Sequence, residues 1–292
     1  VTPPDRETTT DPVIEPRPAP ITGSYPPERH VLRDLRLESE SSPGLGARGW
    51  ITFDEHLRGR SGLPHPGALA TLVDAVGGGL AATAARPDWI ATADLTLHVM
   101  PRAEVQRAEA IGRVVRKGRT TVVIEVQLAT ETGEELGLAT MTFAVLPRRE
   151  GNPVIDQAEG VTRTTMALDH SGFTQSLEVA TGLTTIDASA GAVELPLTDY
   201  VRNSLGSVQG GMMAMTGAAA AERALTHAAG TRLDIVDLQV TYLTLAKVGP
   251  VVSTTTVLAL QPTFGTAHVE LSDTGADNRV TTIVRARGVR IA

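Results

Sequence analysis

His65–Ala85 reads HPGALATLVDAVGGGLAATAA, and Gln209–Ala229 reads QGGMMAMTGAAAAERALTHAA. The first stretch is small and apolar, with Leu69, Leu72 and Val76 at helical spacing and a single carboxylate, Asp74. A helix with so little charge must be buried on most of its sides. The second stretch has the same small-residue character. Two such helices, each followed by a series of strand-like segments, decide how the chain is organised.

Outward from these helices the chain repeats itself. GWITF (Gly49 to Phe53) corresponds to GAVEL (Gly191 to Leu195), and ATADLTLHVM (Ala91 to Met100) to DIVDLQVTYL (Asp234 to Leu243). RTTVVIEVQLATETG corresponds to GTAHVELSDTG, and each half closes on a Thr- and Val-rich strand, TMTFAVL or TTIVRARGVRI. Val122, Ile124, Val126 and Leu128 alternate with other residues, as do Leu95, Leu97 and Val99, which predicts half-buried strands. Periods of roughly 20–50 residues build solenoids; this one is near 145, so it is a duplicated domain. One long buried helix followed by antiparallel strands is a sheet wrapped around a helix, the hotdog fold. Two copies give an α+β double hotdog. The runs Gly77–Gly79 and Ala218–Ala221 read as close-packing surface and not as a phosphate loop. The expected organisation is a Pro-rich disordered tail over 1–27, a first repeat over 28–148, a linker over 149–167 and a second repeat over 168–292.

Composition narrows the function. The 292 residues carry a net charge of −7 and a pI near 5.5, which argues against a nucleic-acid surface. Cysteine is absent, so there is no thiol nucleophile and no thiolate metal site. Aromatic residues make up 3%, so the cores must be built from Ala, Val, Leu, Ile and Met. No run approaches the roughly 18 apolar residues of a membrane span, and the acidic, Pro-rich start does not read as a signal peptide. A cytoplasmic location and no membrane partner are expected. Only Lys117 and Lys247 are lysines, an Arg bias that suggests a bacterial source. His98, His170, His227 and His268 are scattered without metal-ligand spacing, so no metal and no other cofactor are expected.

The second half contains N-x-x-G-x-V-Q-G-G: Asn203, Gly206, Val208, Gln209, Gly210, Gly211. This resembles the N-x-x-G-x-x-H-G-G motif of PaaI-like hotdog acyl-CoA thioesterases, and YLTLAKVGP (Tyr242 to Pro250) adds to the likeness. The resemblance implies an Asp or Glu nine residues beyond the motif's His and a Ser or Thr eighteen residues after that acid. Neither half keeps the whole set. The first has His65, Pro66, Gly67, Asp74 and Thr92, with Gly59 at the Asn position. The second has Asn203, Gln209 and Gly210, with Ala218 at the acid position and Ile235 or Val236 at the hydroxyl position.

Helix geometry reconciles the halves. An Asp nine residues into a helix lies about 13 Å from that helix's own start. The resemblance implies helices packed side by side in opposite directions with sites shared across the interface, so this Asp would reach the start of the neighbouring helix. The expected site therefore combines Asn203, Gln209 and Gly210 of the second half with Asp74 and Thr92 of the first. The other combination, with His65 and Ala218, lacks a carboxylate and reads as a relic.

The resemblance implies hydrolysis of an acyl-CoA or aryl-acyl-CoA thioester. Gly210 would offer its amide to the developing oxyanion, and Asp74 would act as general base or as nucleophile. Thr92 would orient water, while Asn203 and Gln209 would hydrogen-bond the thioester or the water. Gly211 is a substrate-binding candidate. So are Arg116, Lys117 and Arg119, which would contact CoA phosphates from a hairpin turn; a solvated turn is the plainer reading. A TesB-like thioesterase, which also uses Asp, Gln and Thr, and a non-catalytic acyl-CoA-binding module are the alternatives. A hydratase would show a D-x-N-P-x-H-like motif, which is absent. Association of double-hotdog units into a homo-oligomer is expected from the resemblance.

Overall fold

The structure, a computed structural model, describes residues 19–20, 25–42, 46–148 and 160–291. The first half runs from β1 (Ala19–Pro20) and α1 (Val31–Asp34) through β2 (Glu38–Ser42) and β3 (Gly46–Thr52). The central helix α2 (Pro66–Ala85) follows, then β4 (Trp89–Val99), β5 (Arg107–Lys117), β6 (Thr121–Thr130) and β7 (Glu135–Leu146). β8 (Thr162–Thr165) lies between the halves. The second half repeats the order with α3 (Leu177–Ala180), β9 (Thr184–Asp187), β10 (Ala192–Leu195) and α4 (Gly210–Ala229). It ends with β11 (Asp234–Tyr242), β12 (Val251–Leu260), β13 (Phe264–Asp273) and β14 (Arg279–Val289).

Among the described residues all strands join one sheet, ordered β1-β8-β2-β3-β5-β6-β7-β4-β11-β14-β13-β12-β10-β9. The halves meet where β4 pairs with β11, with Asp94 opposite Thr241 and His98 opposite Asp237. That register relates the halves by an approximate two-fold. The two-fold recurs in the side chains: Thr241 donates to Asp94 at 2.8 Å, and His98 meets Asp237 at 2.7 Å.

The alternation in β6 does what its pattern predicts. Val122, Ile124, Val126 and Leu128 are all buried against the helices, as are Leu95 and Leu97 on β4. The expectation that no run approaches a membrane span is corrected by α2, which is long and apolar enough to cross one, but here it is the core helix around which the first half of the sheet wraps. It packs directly on α4. A Cβ at Gly67 would lie 2.5 Å from the Met215 Cβ, and one at Gly211 would run into Thr71. Residue 67 meets 215 and 71 meets 211, so the helices run antiparallel and their small residues let the backbones approach. Gly77 seats the same helix against Met141 and Phe143.

Two boundary readings change. Of the tail expected over 1–27, residues 1–18 and 21–24 lie outside the described residues. Ala19–Pro20 pairs in parallel with β8, and Tyr25 packs against the core. Of the linker expected over 149–167, residues 149–159 lie outside the described residues, while Thr162–Thr165 pairs antiparallel with β2. A Thr-rich run is β-prone, and here it extends the open edge of the sheet.

Candidate active site

The antiparallel helix pair carries Asp74, midway along α2, to the start of α4. Gln209 there is the N-cap residue of α4. Its Oε1 accepts from the Met212 amide at 3.1 Å, and its Nε2 donates to Asp74 Oδ2 at 3.2 Å. Thr92 Oγ1 donates to the other carboxylate oxygen at 3.0 Å. The carboxylate is therefore held by a donor from each half. Gly210 opens the helix, where the first amides have no acceptor behind them and the helix dipole favours negative charge. A Cβ at Gly210 would sit 2.8 Å from Asp74 Oδ2 and 3.5 Å from the Tyr242 hydroxyl. Glycine is what allows helix and carboxylate to meet.

The local folds that present these groups are legible. Thr92 precedes a β-bulge at Ala93, and the same irregularity falls at Val236 in β11. The bulges align Thr92 with Ile235, so the hydroxyl position of the second half is Ile235.

Asp74 keeps some surface, yet protein encloses it on every other side. Burial raises its pKa from 3.8 to about 6, opposed in part by the Thr92 hydrogen bond. Two tyrosines that motif spacing did not assign to the site belong to its surroundings. Tyr242 donates to the Gly210 carbonyl at 2.9 Å. Burial first, then the charges of Asp74 and Asp94, raises the pKa of its hydroxyl. Tyr25 is raised by burial and by Asp74. Tyr242 stood within the YLTLAKVGP likeness; Tyr25 sat in a stretch whose composition read as tail.

Asn203 does not bond the carboxylate. Its Oδ1 accepts from the amides of Leu205 (2.9 Å) and Ser207 (3.1 Å), and its Nδ2 donates to Ser207 Oγ at 2.8 Å. With Gly206 at φ +75°, it shapes the loop that delivers Gln209. Short Asx-type bonds of this sort build turns, so its side chain is engaged within its own loop. Gly211 faces Thr71 across the helix interface, so close packing explains it better than substrate contact. Arg116, Lys117 and Arg119 are exposed around the β5–β6 turn, while their neighbour Arg113 pairs with Glu125 at 2.7 Å. They lie at the same end of the sheet as Thr92, in the lateral order Thr92, Phe143, Val122, Lys117. Three strand spacings place them roughly 14 Å away. Among the described residues no group of three or more metal-ligating side chains converges.

The two-fold equivalent of the site is built differently. His65 Nδ1 caps α2 by accepting from the Gly67 amide at 3.1 Å, as Gln209 caps α4. The expectation that His65 faces no carboxylate is corrected. Its Nε2 lies 3.7 Å from Glu178 Oε1, and Glu178 in turn binds Arg223 at 2.7 Å. Although burial opposes it, the bonds and charges of His65 and Arg223 hold Glu178 down to about 2. No short motif around the helix announces Glu178, which comes from α3. Ala218 and Ile235 replace the acid and the hydroxyl, and Pro66 has no amide hydrogen at the helix start.

Sequence and structure comparisons agree with this architecture. A profile of the acyl-CoA thioesterase C-terminal domain matches residues 5–145, and one of the acyl-CoA thioesterase N-terminal domain matches residues 201–291. The two domain types thus follow each other in reverse order. No curated protein sequence matches the chain. A tesB protein of Mycobacterium avium subsp. paratuberculosis superposes with a TM-score of 0.56 at 14% identity, over 84% of this chain and 93% of that one. A protein of unknown function with a hot dog fold from Alicyclobacillus acidocaldarius gives 0.59 at 12%, over 90% and 99%. An acyl-ACP thioesterase from Bacteroides thetaiotaomicron gives 0.50 at 10%, over 83% and 96%. At these identities the structural likeness speaks for the fold. The approximate two-fold relates the halves symmetrically, so either domain type can come first along the chain.

Proposed function

The chain is a thioester hydrolase with the double-hotdog fold, and from that premise we propose that it hydrolyses acyl-CoA thioesters at one composite site per chain. The observation that carries this reading is the hydrogen bond from Gln209 of the second half to Asp74 of the first. In this reading the thioester carbonyl lies against the Gly210 amide at the positive end of α4. Asp74 accepts a proton from a water, whose oxygen attacks the carbonyl carbon. The tetrahedral intermediate collapses, the C–S bond breaks, and the thiol leaves with the proton while the acid is released. Both Asp74 oxygens are already held by donors, and a pKa near 6 leaves the group ionised at neutral pH. These features favour a general base over a nucleophile.

The set Asp74, Gln209 and Thr92 fits the TesB-like chemistry better than the PaaI-like one. Gln209 makes both bonds that His65 is placed to make in the other half, a helix cap and a donor toward a carboxylate, but it carries no titratable proton. It positions Asp74 and does not exchange protons. Arg116, Lys117 and Arg119 have no partner among the described residues and stand at a distance suited to the phosphates of CoA. Thiol release from a panel of acyl-CoA esters tests the reading; no release from any ester, at enzyme concentrations that show a folded protein, would overturn it.

A further inference from the structure

The surroundings of the two equivalent sites differ in one systematic way. One turn beyond Asp74 on the same face of α2 stands Gly78, with the exposed Gly79 next to it; their equivalents on α4 are Glu222 and Arg223. Arg223 folds back along its helix onto the Ala219 carbonyl and binds Glu178. Glu222 binds Arg232 at 3.1 Å, and Arg232 binds Asp234 at 2.8 Å. Asp234 accepts from Ser61 of the other half. This ionic network therefore bridges the halves close to His65, whose charge acts on Glu222. At the positions matching Asp234, Arg232 and Ser61, the Asp74 side has Ala91, Trp89 and Leu205. No charged side chain stands at any of these places.

Packing does not require the two glycines. Glycine is among the worst helix residues, and Gly77 has a steric reason, since its Cβ would press on Met141. A Cβ at Gly78 would meet nothing nearer than Phe143 at 3.9 Å, and one at Gly79 would meet nothing within 4 Å. The reading of the three glycines as close-packing surface therefore holds for Gly77 alone. Gly79 is exposed and Gly78 partly so. They lead from Asp74 to the surface, at roughly 1.5 Å per residue.

We infer that Gly78 forms the floor of the substrate entrance, over which the thiol-side arm of the thioester runs to solvent, and that the charged network closes the equivalent entrance beside His65. The inference rests on the reading of Asp74 as the hydrolytic site. The thiol-side arm is the part that must pass outward, because the anionic end of a CoA ester stays in water. This entrance opens toward the end of the sheet that carries Arg116, Lys117 and Arg119. The matching positions at the β12–β13 turn are Ala259, Leu260 and Pro262.

The test compares wild type, Gly78→Ala and Gly78→Leu on two substrates with one acyl group: the CoA thioester and the S-ethyl thioester, which lacks the long arm. Gly78→Ala should fold normally, since a Cβ there meets nothing nearer than 3.9 Å. Gly78→Leu should fold with an unchanged or higher melting temperature and raise KM at least tenfold for the CoA ester only. Calorimetry with free CoA, which needs no turnover, should give one site per chain, weakened at least tenfold by Gly78→Leu. Equal losses on both substrates, unchanged CoA binding, or unfolding of Gly78→Ala would overturn the inference. Loss of hydrolysis in wild type with CoA binding still weakened by Gly78→Leu would instead remove the proposed reaction and leave the entrance.

Discussion

Gln209 of the second repeat donates a 3.2 Å hydrogen bond to Asp74 of the first, while its own Oε1 caps α4. One side chain thus fixes the end of a helix and the carboxylate at that end. The arrangement exists only because α2 and α4 pack antiparallel through glycine contacts at Gly67 and Gly211.

Asp74 sets the acid limb of the pH profile. With its pKa raised to about 6 by burial, kcat/KM should fall tenfold per pH unit below that value, because a protonated carboxyl cannot take a proton from water. An acid limb near the ordinary carboxylate value would show that the group is not desolvated.

The same shift makes Asp74 a stability liability. Its folded pKa lies above its unfolded one, so the protonated form favours folding at low pH and that advantage is lost as pH rises through 6. At roughly 1.4 kcal/mol per tenfold change in proton affinity, the ionised form costs at most about 3 kcal/mol. Asp74→Asn should therefore be more stable than wild type at pH 8, with the gap closing between pH 6 and pH 4. Denaturant melts at those pH values check this, and a pH-independent gap contradicts it.

Gln209 should tolerate histidine and little else. Gln209→His can cap α4 and donate to Asp74, as His65 caps α2 and faces Glu178, so turnover should stay within about tenfold. Gln209→Leu should lose both bonds, with about 1 kcal/mol of cap stability and about 10²-fold in kcat. Steady-state rates and thermal melts of the two variants separate these outcomes.

His65 should matter for stability and not for catalysis. His65→Ala removes the cap of α2 and the neighbour of Glu178, at a cost of about 1–2 kcal/mol. Rate per folded molecule should remain within threefold of wild type. A loss of turnover approaching that of Asp74 variants, at matched folding, would mean that the second site is active.

The fold was legible because its signals are local and repeated. The small apolar helices, the alternation in β6 and the paired landmarks each point to the same duplicated architecture. The pairing of Asp74 with Gln209 was legible because the motif resemblance named the two positions and helix length kept each out of reach of its own half's partner. The turn bonds of Asn203 were not legible, because motif spacing places a residue near a site without saying where its amide bonds go. Glu178 and Tyr25 were missed because each arrives from a distant stretch, through tertiary contacts that no periodicity encodes. The strand at Thr162–Thr165 was hidden in a polar connector, because TRTT is only four residues long and Arg163 interrupts its β-branched residues.

The most direct test of one composite site is the rate of thiol release by Asp74→Asn from the best acyl-CoA substrate, measured beside His65→Ala and with folding confirmed by thermal melting. The account predicts a fall of at least about 10²-fold for Asp74→Asn and near-wild-type turnover for His65→Ala. Turnover in Asp74→Asn within threefold of wild type would contradict it.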